Sequence, residues 1–292
     1  MRPGQWHLTE DVDGFLDRAG VFLQSRPALH TLLLTATESV RKRGAGAYGA
    51  EAPLFGWLER GGEVRAALFR TPPHRLVLTS LTPEEADALA AHLAGLGRSL
   101  PGVSGDSGTA TSFAEGWRRH MGVTPSLHEH QRLYRLDALT PPEPLPEGRG
   151  RVAGKRDREQ LMRWYHEFVD AIGEVPSSDA SSWADARIAN GRVRLWQTPD
   201  GTPVSMAGAT SLVAGQIRVA PVYTPAHLRG HGYAAAAMVE VSQAALAAGA
   251  KEVVLFADLA NSTSNRLYQR IGYRPVADFA LYDFLRDRPG AS

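Results

Sequence analysis

The chain has 292 residues, 43% hydrophobic and 22% charged, with 32 Lys+Arg against 31 Asp+Glu. That near-balance argues against a general nucleic-acid or membrane surface, and the absence of cysteine excludes disulfides, thiolate metal sites and a cysteine nucleophile. No apolar run approaches the ~20 residues of a membrane span, and the start MRPGQWHLTEDVDG has no apolar signal core, so a cytoplasmic protein is expected.

Length suggests roughly two domains. Residues 11–23 and 28–43 read as amphipathic helices, the second with Leu29, Leu32, Leu33, Thr37 and Val40 at helical spacing. Residues 51–59 read as a strand that ends at the hairpin signal Gly61-Gly62, and 64–70 returns. Pro72-Pro73 breaks it before a third strand at 75–80. Thr82 is the expected N-cap of a helix to about Leu96, with Pro83 in its first turn. A weak strand at 101–105, a helix at 109–121 and a strand at 130–136 complete the half. Residues 141–150, PPEPLPEGRG, read as a linker.

The same order then recurs. Helices are expected at 157–172 and 179–190, and strands at 192–197, 204–212 and 216–223. A helix from Tyr233 to about Ala248, a strand at 251–256, a helix and a last strand at 273–284 follow. Sequence identity between the halves is slight, so the repeat is one of structure.

The second half carries the chemistry. Between its third strand and the next helix lies Arg229-Gly230-His231-Gly232-Tyr233-Ala234. A glycine-rich turn at a helix N-terminus aims several N–H groups one way, and the helix dipole adds positive character. The product is a phosphate or pyrophosphate site. Gly230-x-Gly232-x-x-Ala235 also fits the dinucleotide fingerprint, with Asp258 as the acidic residue, but the wide loop 224–228 separates it from the strand. The other pattern is R-x-x-G-x-G/A, met by Arg229, Gly232 and Ala234. After the next strand comes Asn261-Ser262-Thr263-Ser264-Asn265-Arg266-Leu267-Tyr268-Gln269-Arg270-Ile271-Gly272-Tyr273. Together these segments resemble the GNAT superfamily of acyl-CoA-dependent N-acyltransferases, whose second motif N-x-x-[SA]-x-x-L-Y-x-x-x-G-[FY] is met at every fixed position.

The resemblance implies an α+β fold of two tandem GNAT-like domains, each a mixed, mostly antiparallel sheet flanked by helices. It would divide the chain into a degenerate copy at 1–140, a linker at 141–150 and a catalytic domain at 151–292. The first half lacks R-x-x-G-x-G/A and puts Glu84 and Glu85 where a pyrophosphate would sit. In the second half the resemblance implies acetyl-CoA as co-substrate. Val222, Tyr223 and Thr224 would pair with the pantetheine arm, with an N–H near Val222 polarising the thioester carbonyl. Arg229, Gly230, His231, Gly232, Tyr233 and Ala234 would hold the pyrophosphate, and Asn261, Ser264 and Asn265 would reach the arm.

Tyr268 would protonate the departing thiolate. The base has no fixed place in the family; Glu174 is the leading candidate, with His166, Glu167 and Asp258 behind it. The ten histidines show no metal spacing, and no metal is expected. The expected activity is acetyl transfer to a primary amine, a small molecule or a peptide, by direct attack, in a monomer or a homodimer. An idle acyl-CoA-binding or regulatory protein is the alternative.

Overall fold

The computed structural model describes residues 4–48, 51–173 and 179–285. These fall into two units. Unit 1 holds the described residues of Met1–Leu133, with Asp258–Ala260 and Val276–Ser292; unit 2 holds those of Tyr134–Ala257 and Asn261–Pro275.

Unit 1 begins with β1 (Gln5–Thr9), α1 (Val12–Gln24) and α2 (Thr31–Arg43). The strands β2 (Leu54–Arg60) and β3 (Glu63–Arg70) form a hairpin. Gly61 and Gly62 close it with φ of 63° and 83°, the left-handed pair that matches strand twist. Then come β4 (Leu76–Leu78), α3 (Pro83–Gly95), β5 (Gly102–Asp106), α4 (Ser107–Met121) and β6 (Thr124–Leu136). Leu68, Leu76 and Leu78 from the sheet pack with Leu89, Leu93, Phe113 and Trp117 of α3 and α4. On the opposite face Phe15 of α1 stacks on Phe55, ring centroids 5.2 Å apart. Helix α3 starts in a capping box: Glu85 N–H donates to Thr82 Oγ1 and Thr82 N–H donates to Glu85 Oε2.

Unit 2 repeats the plan with β7 (Arg149–Val152), α5 (Arg158–Ile172), α6 (Ala180–Ala189), β8 (Val193–Gln197), β9 (Pro203–Ala209) and β10 (Gln216–Tyr223). Then follow α7 (Tyr233–Ala247), β11 (Glu252–Asp258), α8 (Ser262–Arg270) and the start of β12 (Tyr273–Leu285). Strands β7 to β10 pair antiparallel in order, and β10 pairs parallel with β11. In unit 1 the corresponding parallel pair is β4 and β5. The expected α+β class, mixed sheets mostly antiparallel with helices on both faces, is what the chain adopts in each unit. One face of the unit 2 sheet carries α7, with Ala237, Met238 and Val241 against Val219, Val253 and Leu255. The other carries α5 and α6, with Leu161, Trp164 and Trp183 against Leu195 and Met206.

Two features lie outside the sequence reading. Strands β1 and β7 were not expected, and β7 starts inside the stretch read as linker. Both are short edge strands, and the proline-glycine signal of PPEPLPEGRG masks the four residues of β7. The second feature is the closing strand of each half. Strand β5 pairs antiparallel with β12, from Phe279 opposite Asp106 to Asp283 opposite Gly102. Strand β11 has the end of β6 as its neighbour. In unit 1 Arg75 reaches Asp283 at 2.8 Å, and Arg132 grips Asp278 in a two-point fork at 2.6 and 2.8 Å. In unit 2 Tyr134, from the end of β6, is fully buried among α8 and β12 residues. The expected division at 141–150 assigned all of β12 to the second half, whereas its residues from Val276 onward lie in unit 1. A period-2 pattern names a strand but not its partner.

Candidate acyl-CoA site

Strand β10 follows β11 only from Gln216 opposite Glu252 to Arg218 opposite Val254. Beyond that point the two parallel strands part. Strand β10 continues along β9 instead, with an irregularity between Val219 and Val222. Gly208 of β9 accommodates it: a Cβ there would meet the Ala220 carbonyl oxygen at 2.9 Å. The result is an open wedge between residues 219–223 and 255–257. The alternation of β10 turns Val222 toward the α7 core and Tyr223 toward the α5 layer.

The chain leaves β10 through a braced loop. Thr224 is buried, and its hydroxyl pairs with Ser205 Oγ at 2.8 Å. Ser205 Oγ also lies 3.2 Å from the Tyr223 carbonyl oxygen. A 3-10 turn spans Ala226–Leu228, and Arg229 Nε donates back to the Thr224 carbonyl at 3.1 Å. Arg229 is thereby held at the mouth of the turn.

Helix α7 then opens. Gly230 and Gly232 have φ of 84° and 79°, and Gly232 is the N-cap. No side chain caps this helix, and its first turn holds no acidic residue. The first intrahelical bond runs from Ala236 N–H to the Gly232 carbonyl. The N–H groups before it are therefore free of helical partners. A Cβ on Gly230 would meet nothing within 4 Å, so the turn faces open space. Arg229, Gly230, His231 and Gly232 are exposed, and the His231 ring stacks on Tyr233 at 5.6 Å. An uncapped, acid-free helix start beside an arginine fits a pyrophosphate. The matching start of α3 has the opposite character, since Thr82 and Glu85 satisfy its N–H groups and Glu84 adds a second carboxylate.

Helix α8 holds the second set of predicted residues. Asn261 is its N-cap, accepting from Ser264 N–H at 3.0 Å. Asn265 is buried, accepting from the Tyr134 hydroxyl at 2.7 Å and donating to the Asn261 carbonyl at 2.8 Å. The motif asparagines thus build the helix start and anchor it to β6. Tyr268 is 8% exposed, among Tyr134 and Tyr273 with ring centroids 6.3 and 6.2 Å away. Burial pushes its phenol up to about 12, against a hydrogen bond with Ser264 that lowers it. It therefore keeps its proton at neutral pH, as a donor must. The motif glycine, Gly272, has φ of 105°, and a Cβ there would lie 1.9 Å from the Ala138 carbonyl oxygen. The close approach lets Asp137 N–H donate to the Gly272 carbonyl.

Of the candidate bases, Glu174 lies outside the described residues. His166 is exposed on α5, and Asp258 accepts from Ala260 N–H at the end of β11. Glu167 accepts from the Tyr223 hydroxyl at 2.6 Å. No group of metal-ligating side chains occurs among the described residues.

Residues 158–273 match the Acetyltransferase (GNAT) family model. No curated protein matches the chain. Several solved structures share its fold over nearly the whole length. A Drosophila protein has 15% identity and a TM-score of 0.64, covering 97% of this chain and 98% of its own. A GCN5-related N-acetyltransferase from Sphaerobacter thermophilus has 18% identity and a TM-score of 0.58, with 98% of each chain covered. A tandem GNAT protein from the clavulanic acid biosynthesis pathway has 12% identity and a TM-score of 0.54, covering 97% of this chain and all of its own. The chain has the fold of two GNAT-like domains in tandem, and its segment 158–273 is similar to the acetyltransferase (GNAT) family.

Proposed function

We propose that unit 2 transfers the acetyl group of acetyl-CoA to a primary amine by direct attack. The observation that carries this reading is the uncapped turn at Gly230 and Gly232, set beside the wedge where β10 leaves β11, inside the segment that matches the family. The turn would take the pyrophosphate with Arg229, His231, Tyr233 and Ala234. Residues Val222, Tyr223 and Thr224 would lie along the pantetheine arm, with the Val222 N–H toward the thioester carbonyl. The arm would pass Ser264, with Asn261 and Asn265 holding the helix in place. Unit 1, with its helix start capped and acidic, would bind no acyl-CoA.

The reaction needs little beyond positioning. The amine lone pair attacks the carbonyl carbon, a C–N bond forms and the C–S bond breaks. The thiolate takes the proton of Tyr268, and the new amide nitrogen gives up one in return. A small-molecule amine and a peptide amine both satisfy this chemistry. The test is release of free CoA thiol from acetyl-CoA with a panel of primary amines. Amine-dependent release supports the reading. Tight acetyl-CoA binding with no release for any amine would mark an idle acyl-CoA-binding protein.

A further inference from the structure

Unit 2 has a groove of about 580 Å³ between the edge strand β7, the start of α5 and the turn from β8 to β9. It shares none of its lining with the glycine turn or with α8. Gly150 lies against α7, where a Cβ would meet the Glu240 carboxyl carbon at 2.1 Å. Alternation along β7 therefore puts Arg149 and Arg151 on the other face, the one that carries α5. Arg156, in the turn before α5, and Arg163, on α5, bring the arginines of the groove to four.

Three carboxylates line it as well, and two of them are engaged. Asp157 is buried and forked by Arg151 at 2.7 Å on each oxygen. Asp200 accepts from the Thr198 hydroxyl and the Thr202 N–H in its own turn. Glu159 is exposed and open. Arg149, Arg156 and Arg163 are also exposed, and none of them closes an ion pair within 4 Å among the described residues; Arg163 gives one N–H to the neutral Gln160. Positive charge is thus in excess at this edge of the sheet.

Gln197, at the end of β8, is a second and independent sign of a ligand. It lines the groove and is only 3% exposed. Its Oε1 accepts from Arg151 Nε at 2.5 Å, which fixes the amide. Its Nε2, with two N–H groups, has no partner among the described residues. A donor held this deep is costly to leave unmade, and an oxyanion satisfies it.

We propose that this groove is a second ligand site, which binds a small molecule through a phosphate monoester. Arg149, Arg156 and Arg163 supply the charge, and Gln197 Nε2 supplies a directed N–H. A monoester carries about −1.5 to −2 at neutral pH and three acceptor oxygens, which suits several guanidiniums better than one carboxylate does. The volume is that of a small-molecule site and exceeds what phosphate alone fills. Glu159 and Asp200 repel a second anionic group, so the rest of the ligand is uncharged or cationic.

The test is calorimetric titration of the whole chain with glycerol 3-phosphate, inorganic phosphate and citrate at fixed ionic strength. Glycerol 3-phosphate should bind at one saturable site, more tightly than phosphate, with citrate weakest. Arg149→Gln and Arg163→Gln should each lower its affinity about tenfold, as expected for a lost hydrogen bond to a charged group. Both side chains are exposed, so Tm should not move. Gln197→Glu can still accept from Arg151 but replaces the donor with a charge, and should abolish binding. Glu159→Gln should tighten binding severalfold, by removing a like charge. Gly232→Asp, at the start of α7, should change nothing. No saturable binding of glycerol 3-phosphate would overturn the proposal. So would binding that survives both arginine variants but is lost in Gly232→Asp, since the phosphate would then sit at the α7 turn. Citrate binding as tightly as glycerol 3-phosphate would refute the phosphate class, and wild-type affinity in Gln197→Glu would refute the directed N–H.

Discussion

Substituting Gly232 separates backbone strain from charge at the turn. A Cβ at this position would lie 3.7 Å from Pro146 Cδ, an ordinary contact, and so would not crowd the open side of the turn. The cost of Gly232→Ala is therefore conformational, since φ of 79° is left-handed. That cost is about 1–2 kcal/mol and is present with or without ligand. Alanine should lower Tm by roughly 2–8 °C and leave acetyl-CoA affinity near the wild-type value. Gly232→Asp adds a carboxylate beside the uncapped N–H groups. Two like charges ~4 Å apart repel by about 1 to 4 kcal/mol, depending on the local dielectric, a loss of roughly 5- to 1,000-fold in affinity. The gap between the two variants should narrow at high salt, because exposed charges are screened. Calorimetric titration with acetyl-CoA measures the affinities, and thermal unfolding measures the strain. Glu84→Lys, at the capped helix start of unit 1, should leave affinity unchanged. Equal affinities for Gly232→Ala and Gly232→Asp would refute the placement of the pyrophosphate.

Three other outcomes are expected. Tyr268→Phe should bind acetyl-CoA normally but lose roughly 10²- to 10⁴-fold in single-turnover rate, and an unchanged rate would make Tyr268 a packing residue. Gly272→Ala should destabilise the protein by roughly 2–4 kcal/mol in urea unfolding, because its Cβ meets the Ala138 carbonyl oxygen and its backbone is left-handed; a neutral result would contradict the packing of 137–140 against α8. Arg151→Met should cost about 3 kcal/mol at pH 7, since it strands the buried Asp157 charge. Burial alone would raise the Asp157 pKa, but the Arg151 fork and the Gly154 N–H outweigh it and hold the carboxyl below its ordinary value. The stability from this depressed pKa is present above the unfolded value of about 3.9 and lost as pH falls through the folded one. The difference between the variant and the wild type should thus shrink below about pH 4, and a constant difference would show that the pair's charge is not what matters.

Most of the fold and part of the candidate site's local structure were legible in the residues. Period and turn signals located α5, α7, β8 and β10 because their apolar patterns are strong and their caps are marked. The turn at Gly230 and Gly232 was legible for the same physical reason that shapes it, since only glycine adopts those angles cheaply. The closing strands were legible as strands, but their partners were not. The alternation within Tyr273–Leu285 shows a strand with one buried face but carries no mark of β5 as its partner. Strand β7 was hidden by proline and glycine signals around four residues. The motif asparagines showed their place but not their work, which is capping α8 and bonding Tyr134. The Tyr223 and Glu167 pair lies 56 positions apart in sequence, and only the packing of α5 on β10 joins them. Nothing in the sequence near Glu167 marks Tyr223 as its partner.

The central claim is that one unit of the two handles the acyl-CoA. Calorimetric titration of the full chain with acetyl-CoA measures it directly. One binding event per chain, weakened by Gly232→Asp and untouched by Glu84→Lys, is the expected result. Two equivalent sites per chain, or a single site that follows Glu84 rather than Gly232, would contradict the account.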